Sequence, residues 1–232
     1  MRKFCIKARF WSYWPDLNRR PADYESAALP TEPQQHMLFP RRKCIIFSLP
    51  RQSQIEKDFF YVVSPATKAK ATFIYNDDHI SNQYNENIFD FDYISIVTQK
   101  KYSCGVKIKT ICSFDSFGAP LIVISDDITN GKYGLHFEIV AYEDGCNVWH
   151  ILPSNGKAET PIIPSLIASA VFKISEKSVI ELQVTVKNKM FEISINGNKL
   201  TVSNSDIPEQ FHVGITACEG VNRFYSLSIE NN

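Results

Sequence analysis

Residues 55–232 are predicted to form an all-β fold, a two-sheet antiparallel sandwich, preceded by an irregular extension over residues 1–54. Three observations predict it. From Phe59 onward, short runs rich in β-branched and aromatic residues follow one another at even spacing, closed by Asn, Asp, Gly or Pro. Several runs alternate apolar and polar side chains, as a strand with one buried and one wet face must. One run, Pro120 to Ser125 (PLIVIS), is apolar throughout, as in a central strand covered on both faces. Many short strands of this kind make a sandwich or a barrel.

In order, Phe59–Val63 is a short run closed by Pro65, and Ala69–Tyr75 ends in Asn76-Asp77-Asp78. Ile88–Val97 and Ser103–Phe114 alternate, the second with Val106, Ile108, Thr110 and Cys112 on one face. Asp126–Lys132 carries Asn130-Gly131 and reads as a hairpin loop. Tyr133–Tyr142 sets Leu135, Phe137, Ile139 and Ala141 against His136, Glu138, Val140 and Tyr142. Asn147–Leu152 is another strand, and Pro153–Pro164 reads as a Pro-rich loop. The closing part alternates most cleanly: Leu182/Val184/Val186, Phe191/Ile193/Ile195 and Leu200/Val202, joined by turns at Asn188-Lys189 and around Gly197. Phe211–Ala217 and Phe224–Ile229 complete it.

Formal charge is zero, with 25 basic and 25 acidic residues, which argues against a general polyanion binder and predicts no nucleic-acid partner. The balance is uneven: Met1–Lys57 holds 11 Lys and Arg against 5 Asp and Glu. Six of the 12 prolines precede Arg51, so regular structure there is restricted to a short helix at Asp23–Leu29. The run PDLNRRPADYESAALPTEP (residues 15–33) resembles peptides produced when a transfer-RNA gene is translated in error, which implies that the segment is not selected protein. Met37 is then a candidate start. A basic arm for RNA or a membrane, built on Arg19-Arg20, Arg41-Arg42-Lys43, Trp11, Tyr13 and Trp14, and an inert linker stay open as readings.

The start, Met1-Arg-Lys with Lys7 and Arg9 close behind, has no apolar signal-peptide core, and no run approaches 18 apolar residues. As written, the chain is expected in the cytoplasm without a membrane span, an expectation tied to where the native chain begins. The six cysteines, Cys5, Cys44, Cys104, Cys112, Cys146 and Cys218, form no CxxC pair and fit buried thiols in a reducing compartment. A Cys104–Cys112 disulfide is the alternative.

The run from Lys177 to Ile229 resembles the closing strands of concanavalin A-like lectin/glucanase jelly rolls. The resemblance rests on Leu182–Val186, Phe191–Ile195 with Asn196-Gly197, Leu200–Val202, Val213-Gly214-Ile215 and Phe224-Tyr225. It implies a jelly-roll sandwich with a glycan site on a concave sheet or at loop tips.

The laminarinase-like hydrolases of that class place Glu, Asp and Glu at alternate positions of one strand. Here Glu138 and Glu143 are five apart and point to opposite faces of a regular strand, and Asp90 and Asp92 have no third acid, so no catalytic residue is nominated. No GxSxG or phosphate-cradling glycine loop occurs. Asp126, Asp127 and Asn130 could offer oxygens to Ca²⁺, or serve as solvated turn residues; no other cofactor is expected. His136 and His150 lack zinc spacing and read as structural. Trp149, Tyr142, His150, Asn147 and Glu138 combine aromatic and planar polar side chains on neighbouring strands, the composition of a sugar site. The expected function is a non-catalytic carbohydrate-binding or adhesion-like module with a glycan partner. The alternatives are a glycoside-acting enzyme with a non-standard acid site and a structural or protein-interaction domain.

Overall fold

The alternating runs become two antiparallel sheets stacked face to face. The computed structural model describes residues 44–49, 51–63, 72–84, 93–153 and 162–231, all within the compact unit Arg41–Asn232. The expectations placed on residues 1–43, on residues 69–71 and on Asp90 and Asp92 lie outside the described residues.

Sheet A runs β16 (Asn198–Ser203), β15 (Met190–Ile195), β14 (Ile180–Lys187), β7 (Val106–Asp115), β18 (Val221–Asn231). The far edge of β18 is shared by β1 (Cys44–Ser48) and β4 (Ile80–Ser81), with β3 (Ile74–Tyr75) beyond β4. Sheet B runs β13 (Ile162–Val171), β12 (Gly145–Pro153), β11 (His136–Tyr142), β8 (Ala119–Ser125), β17 (Gln210–Cys218), β5 (Tyr93–Thr98), β2 (Phe59–Val63). The short β6 (Tyr102–Ser103) pairs with the start of β17. β9 (Ile128–Thr129) and β10 (Lys132–Tyr133) form a separate hairpin, and α1 (Gln52–Asp58) precedes β2.

The two sheets face each other across one apolar cluster. Ile108, Leu182, Val184, Phe191 and Leu227 of sheet A meet Ile96, Ile122, Phe137, Ile139 and Ile215 of sheet B, each with no exposed surface. Phe137 and Phe191 touch edge to face across the layer, with ring centroids 5.2 Å apart. Full burial of each such side chain contributes roughly 1.5–3 kcal/mol. Asn-Gly turns sit where the sequence puts them: Asn130-Gly131 at φ +52° and +69°, Asn196-Gly197 at +48° and +85°.

The elements not foreseen include β1, α1 and β13. β1 pairs along Ser226–Glu230, so the sandwich takes in chain ahead of residue 55. α1 has no side-chain N-cap and is held by Ile55, which is 1% exposed. β13 occupies the end of the predicted Pro-rich loop; it is an edge strand, where Pro164 is tolerated and alternation is weak. Cys104 lies in the turn before β7 rather than in a strand, and Cys104 and Cys112 are both free thiols. Burial pushes the Cys146 thiol up to about 12.

Candidate functional site

The outer face of sheet A is wet, whereas that of sheet B is not. All six residues of β5 are buried, as are Pro120–Ser125 of β8, so both faces of those strands are covered. The register fixes what shares the outer face of sheet B. One row runs Trp149, Glu138, Val123, Gly214, Val97, Phe60; the next runs Asn147, Val140, Leu121, Thr216, Ser95, Val62. At one end His136, Ser125 and His212 align.

Glu138 lies in this face and is 9% exposed. The Tyr93 hydroxyl reaches across from β5 and donates to Glu138 Oε1. Nε2 of His136 stands 3.5 Å from the same oxygen, while Nδ1 of His136 bonds the Gly134 carbonyl at 2.9 Å. Beside them the Ser95 and Thr216 hydroxyls bond each other at 2.7 Å. Tyr133 of β10 covers this group, its ring 4.6 Å from His136 and 6.4 Å from Tyr93. Its hydroxyl is buried against the Ser95, Thr216 and Tyr93 hydroxyls. Burial drives the Tyr93 and Tyr133 phenols well above their ordinary range, so both are held as neutral hydroxyls. Ile128 and Tyr133 pack on Val62, Tyr93, Val97, Leu121 and Val123, forming a small apolar cluster on this outer side.

Towards β13 the face opens. Trp149 and Asn147 of β12 and Tyr142 at the end of β11 are each half-buried. The Tyr142 hydroxyl donates to Asn147 Oδ1 at 3.5 Å, and burial raises its pKa. Trp149 has Glu138 on one side and Leu166 of β13, 51% exposed, on the other. A bulge between Val148 and Trp149 locally shifts the β12–β13 register. At the rim Lys173 pairs with Asp144 and Glu143.

Of the five residues nominated for binding, Trp149, Tyr142, Asn147 and Glu138 share this face. His150 does not. It is the neighbour of Trp149 on one strand, so the pleat turns it into the sandwich, stacked on Phe137 at 4.7 Å with Nε2 3.6 Å from Asp206. The Ca²⁺ candidates lie along the β9–β10 hairpin and its stem. Asp127 Oδ2 accepts from Thr129 at 2.5 Å, and its carbonyl accepts from Ser125 Oγ at 2.7 Å. Asn130 sits exposed at the hairpin tip, and Asp126 Oδ1 is buried without a partner. Tyr93, Tyr133, Ser95 and Thr216 were missed as site residues, and His136 was weighed only as a zinc ligand. The alternation of Tyr93 and Ser95 with Ile94 and Ile96 was the available signal.

No protein-family model matches the sequence, and no curated protein matches it. Solved structures do. A chain described with endo-acting O-glycanases of the human gut microbiota that initiate mucin breakdown superposes with a TM-score of 0.60 at 7% identity, over 81% of this chain and 98% of that one. An inactivated β-agarase B in complex with agaro-octaose gives 0.55 at 9% identity, over 77% and 86%. The κ-carrageenase of Pseudoalteromonas carrageenovora, bound to a κ-carrageenan oligotetrasaccharide, gives 0.52 at 9%, over 85% and 98%. Such likeness speaks to architecture, and with the two-sheet topology it establishes that this chain has the concanavalin A-like jelly-roll fold.

Proposed function

We propose that the protein is a non-catalytic carbohydrate-binding or adhesion-like module that takes a glycan along the open part of the sheet B outer face. The observation that carries this reading is the strip Tyr142–Asn147–Trp149: two half-buried aromatic side chains and a planar amide side by side on one sheet face. Sugar C–H faces pack on such rings and sugar hydroxyls pair with such amides. The site lies near the sheet edge, where a chain can pass without entering a closed cavity. The similar solved structures are named for saccharides, which supports the reading by analogy of fold.

Glu138 supports the non-catalytic form. Among the described outward positions of β5, β8, β11, β12 and β17 it is the single carboxylate. Glycoside hydrolysis asks for two, roughly 5–10 Å apart. A glycan array followed by calorimetry on the full chain tests the proposal. Trp149→Ala is expected to weaken the best hit by at least about tenfold while leaving the fold intact; binding of no glycan overturns the module reading.

A buried carboxylate already holding a phenol proton donor also favours a second reading, a glycoside-acting enzyme centred on Glu138. Release of new reducing ends from the same glycans, abolished in Glu138→Gln, would establish that reading instead.

A further inference from the structure

The β9–β10 hairpin lies crosswise over the outer face of sheet B. Its stem rises where the chain leaves β8 and enters β11, closed by Asp126 N–H to the Leu135 carbonyl at 3.0 Å and Gly134 N–H to the Asp127 carbonyl at 2.9 Å. Its tip reaches β2, at the far end of the sheet order: a Cβ on Gly131 would stand 3.8 Å from the Tyr61 carbonyl. Between stem and tip, Ile128 and Tyr133 pack on Val62, Tyr93, Val97, Leu121 and Val123. The Tyr133 hydroxyl ends among those of Ser95, Thr216 and Tyr93. Apolar burial and polar pairing both hold the hairpin down. It is part of the folded face, and the outer sides of β2, β5, β17 and β8 lie beneath it.

What it leaves open is β11, β12 and β13. Three strands at about 4.8 Å spacing offer roughly 10 Å across the sheet. Along β12, the four steps from Gly145 to Trp149 span roughly 13 Å at about 3.3 Å each. Tyr142 pairs with Gly145 and Glu138 with Trp149, so the aromatic strip follows the strand direction and Glu138 bounds it on the hairpin side. Charge on this half is one-sided. In residues 136–153 and 162–173 the Asp, Glu, Lys and Arg side chains are Glu138, Glu143, Asp144 and Lys173. Lys173 is already paired with Glu143 and Asp144, which leaves Glu138 beside the strip with no cation facing it from these strands.

We propose that the hairpin is a fixed wall and that the half-face beside it selects an uncharged glycan lying along β12. The inference rests on the glycan reading. A sugar ring stacked on Trp149 has the Glu138 carboxylate beside it on the next strand, an acceptor for ring hydroxyls. A sulfate ester or uronate on that ring meets the same carboxylate, 9% exposed, as a like charge.

Hydroxyl-radical footprinting of the full chain tests the wall without any ligand. Relative to the unfolded chain, oxidation of Tyr93 is expected to be slowed at least about tenfold more than that of Trp149; equal slowing overturns the wall. Calorimetry with a κ-carrageenan tetrasaccharide, its desulfated form, agaro-octaose and the array hits tests the selection. Uncharged chains are expected to bind at least about tenfold tighter than sulfated ones, and Glu138→Gln to narrow that gap. Equal affinities for the sulfated and desulfated forms, or array hits confined to sulfated and uronic chains, overturn the selection. Tyr142→Ala is expected to weaken binding about tenfold, while Phe60→Ala, on the Trp149 row but across the hairpin, leaves it unchanged; a loss in Phe60→Ala overturns the confinement. A shielded Tyr93 together with binding of no probe refutes the glycan reading and leaves the wall standing.

Discussion

The two sheets of this sandwich treat their outer faces in opposite ways. On sheet A, β14 alternates buried Leu182, Val184 and Val186 with outward Glu181, Gln183, Thr185 and Lys187, and the outward set meets Lys107 and Lys109 on one side and Glu192 and Ser194 on the other. Its ion pairs, such as Lys109–Glu181 at 3.5 Å and Lys187–Glu192 at 2.5 Å, are exposed and worth about 0–1 kcal/mol each. On sheet B the corresponding face carries Tyr93, Val97, Leu121, Val123 and Glu138, with a hairpin on top. One face only has to stay wet. The other buries polar groups, and burial of polar groups is tolerated where each finds a partner.

The comparison is broken most severely by charge. Val123→Asp, at a position with no exposed surface, is expected to cost more than about 4 kcal/mol in urea unfolding, while Gln183→Asp on sheet A stays within about 0.5 kcal/mol. Similar losses for both would mean that the sheet B face is not covered. Tyr93→Phe strips Glu138 of its hydroxyl donor and is expected to cost about 1–3 kcal/mol; an unchanged midpoint would mean that water already serves Glu138.

The turn that carries the chain from sheet A to sheet B sharpens the contrast from another side. Ser116 and Phe117 adopt φ +53° and +67°, and the Phe117 ring is 81% exposed. A left-handed phenylalanine is strained and buries little, so Phe117→Asn is expected to stabilise by about 1 kcal/mol. A melting temperature that falls instead would show the ring contributing to packing. The smallest effect concerns pH. Burial lowers the pKa of His212 below its ordinary 6.5, so the unfolded chain takes up a proton that the folded one refuses. Stability is therefore lost as pH falls below about 6.5, and His212→Asn should make that fall shallower. Parallel pH profiles would remove His212 from the account.

Much of sheet A was legible because its strands obey one rule: Glu181–Val202 alternates with one dry and one wet face, and Asn-Gly marks a turn. The sheet B strand β8 was legible as buried, whereas β5 was read only as alternating, and the outer partners of both were not legible. The bond between Tyr93 and Glu138 joins residues 45 apart in sequence, and no local pattern announces it. β13 escaped because IIPSLIASAV lacks alternation and carries Pro164, which an edge strand tolerates. Four of the five nominated residues share one face, and the place of the fifth was legible: a period of two forbids Trp149 and His150 from sharing a face.

The position of β18 has a consequence for how the molecule is made. Among the described strands it comes last in sequence order, yet it lies inside sheet A, with β7 on one side and β1 and β4 on the other. Cys44 therefore finds Glu230 only after 186 further residues have been added. At about 5–20 residues per second, translation leaves β1 and β7 without their shared neighbour for on the order of ten seconds or more. During that interval each presents an open edge able to pair with another nascent chain. Pairing at such sequence separation slows folding, so this cost is set by the strand order itself.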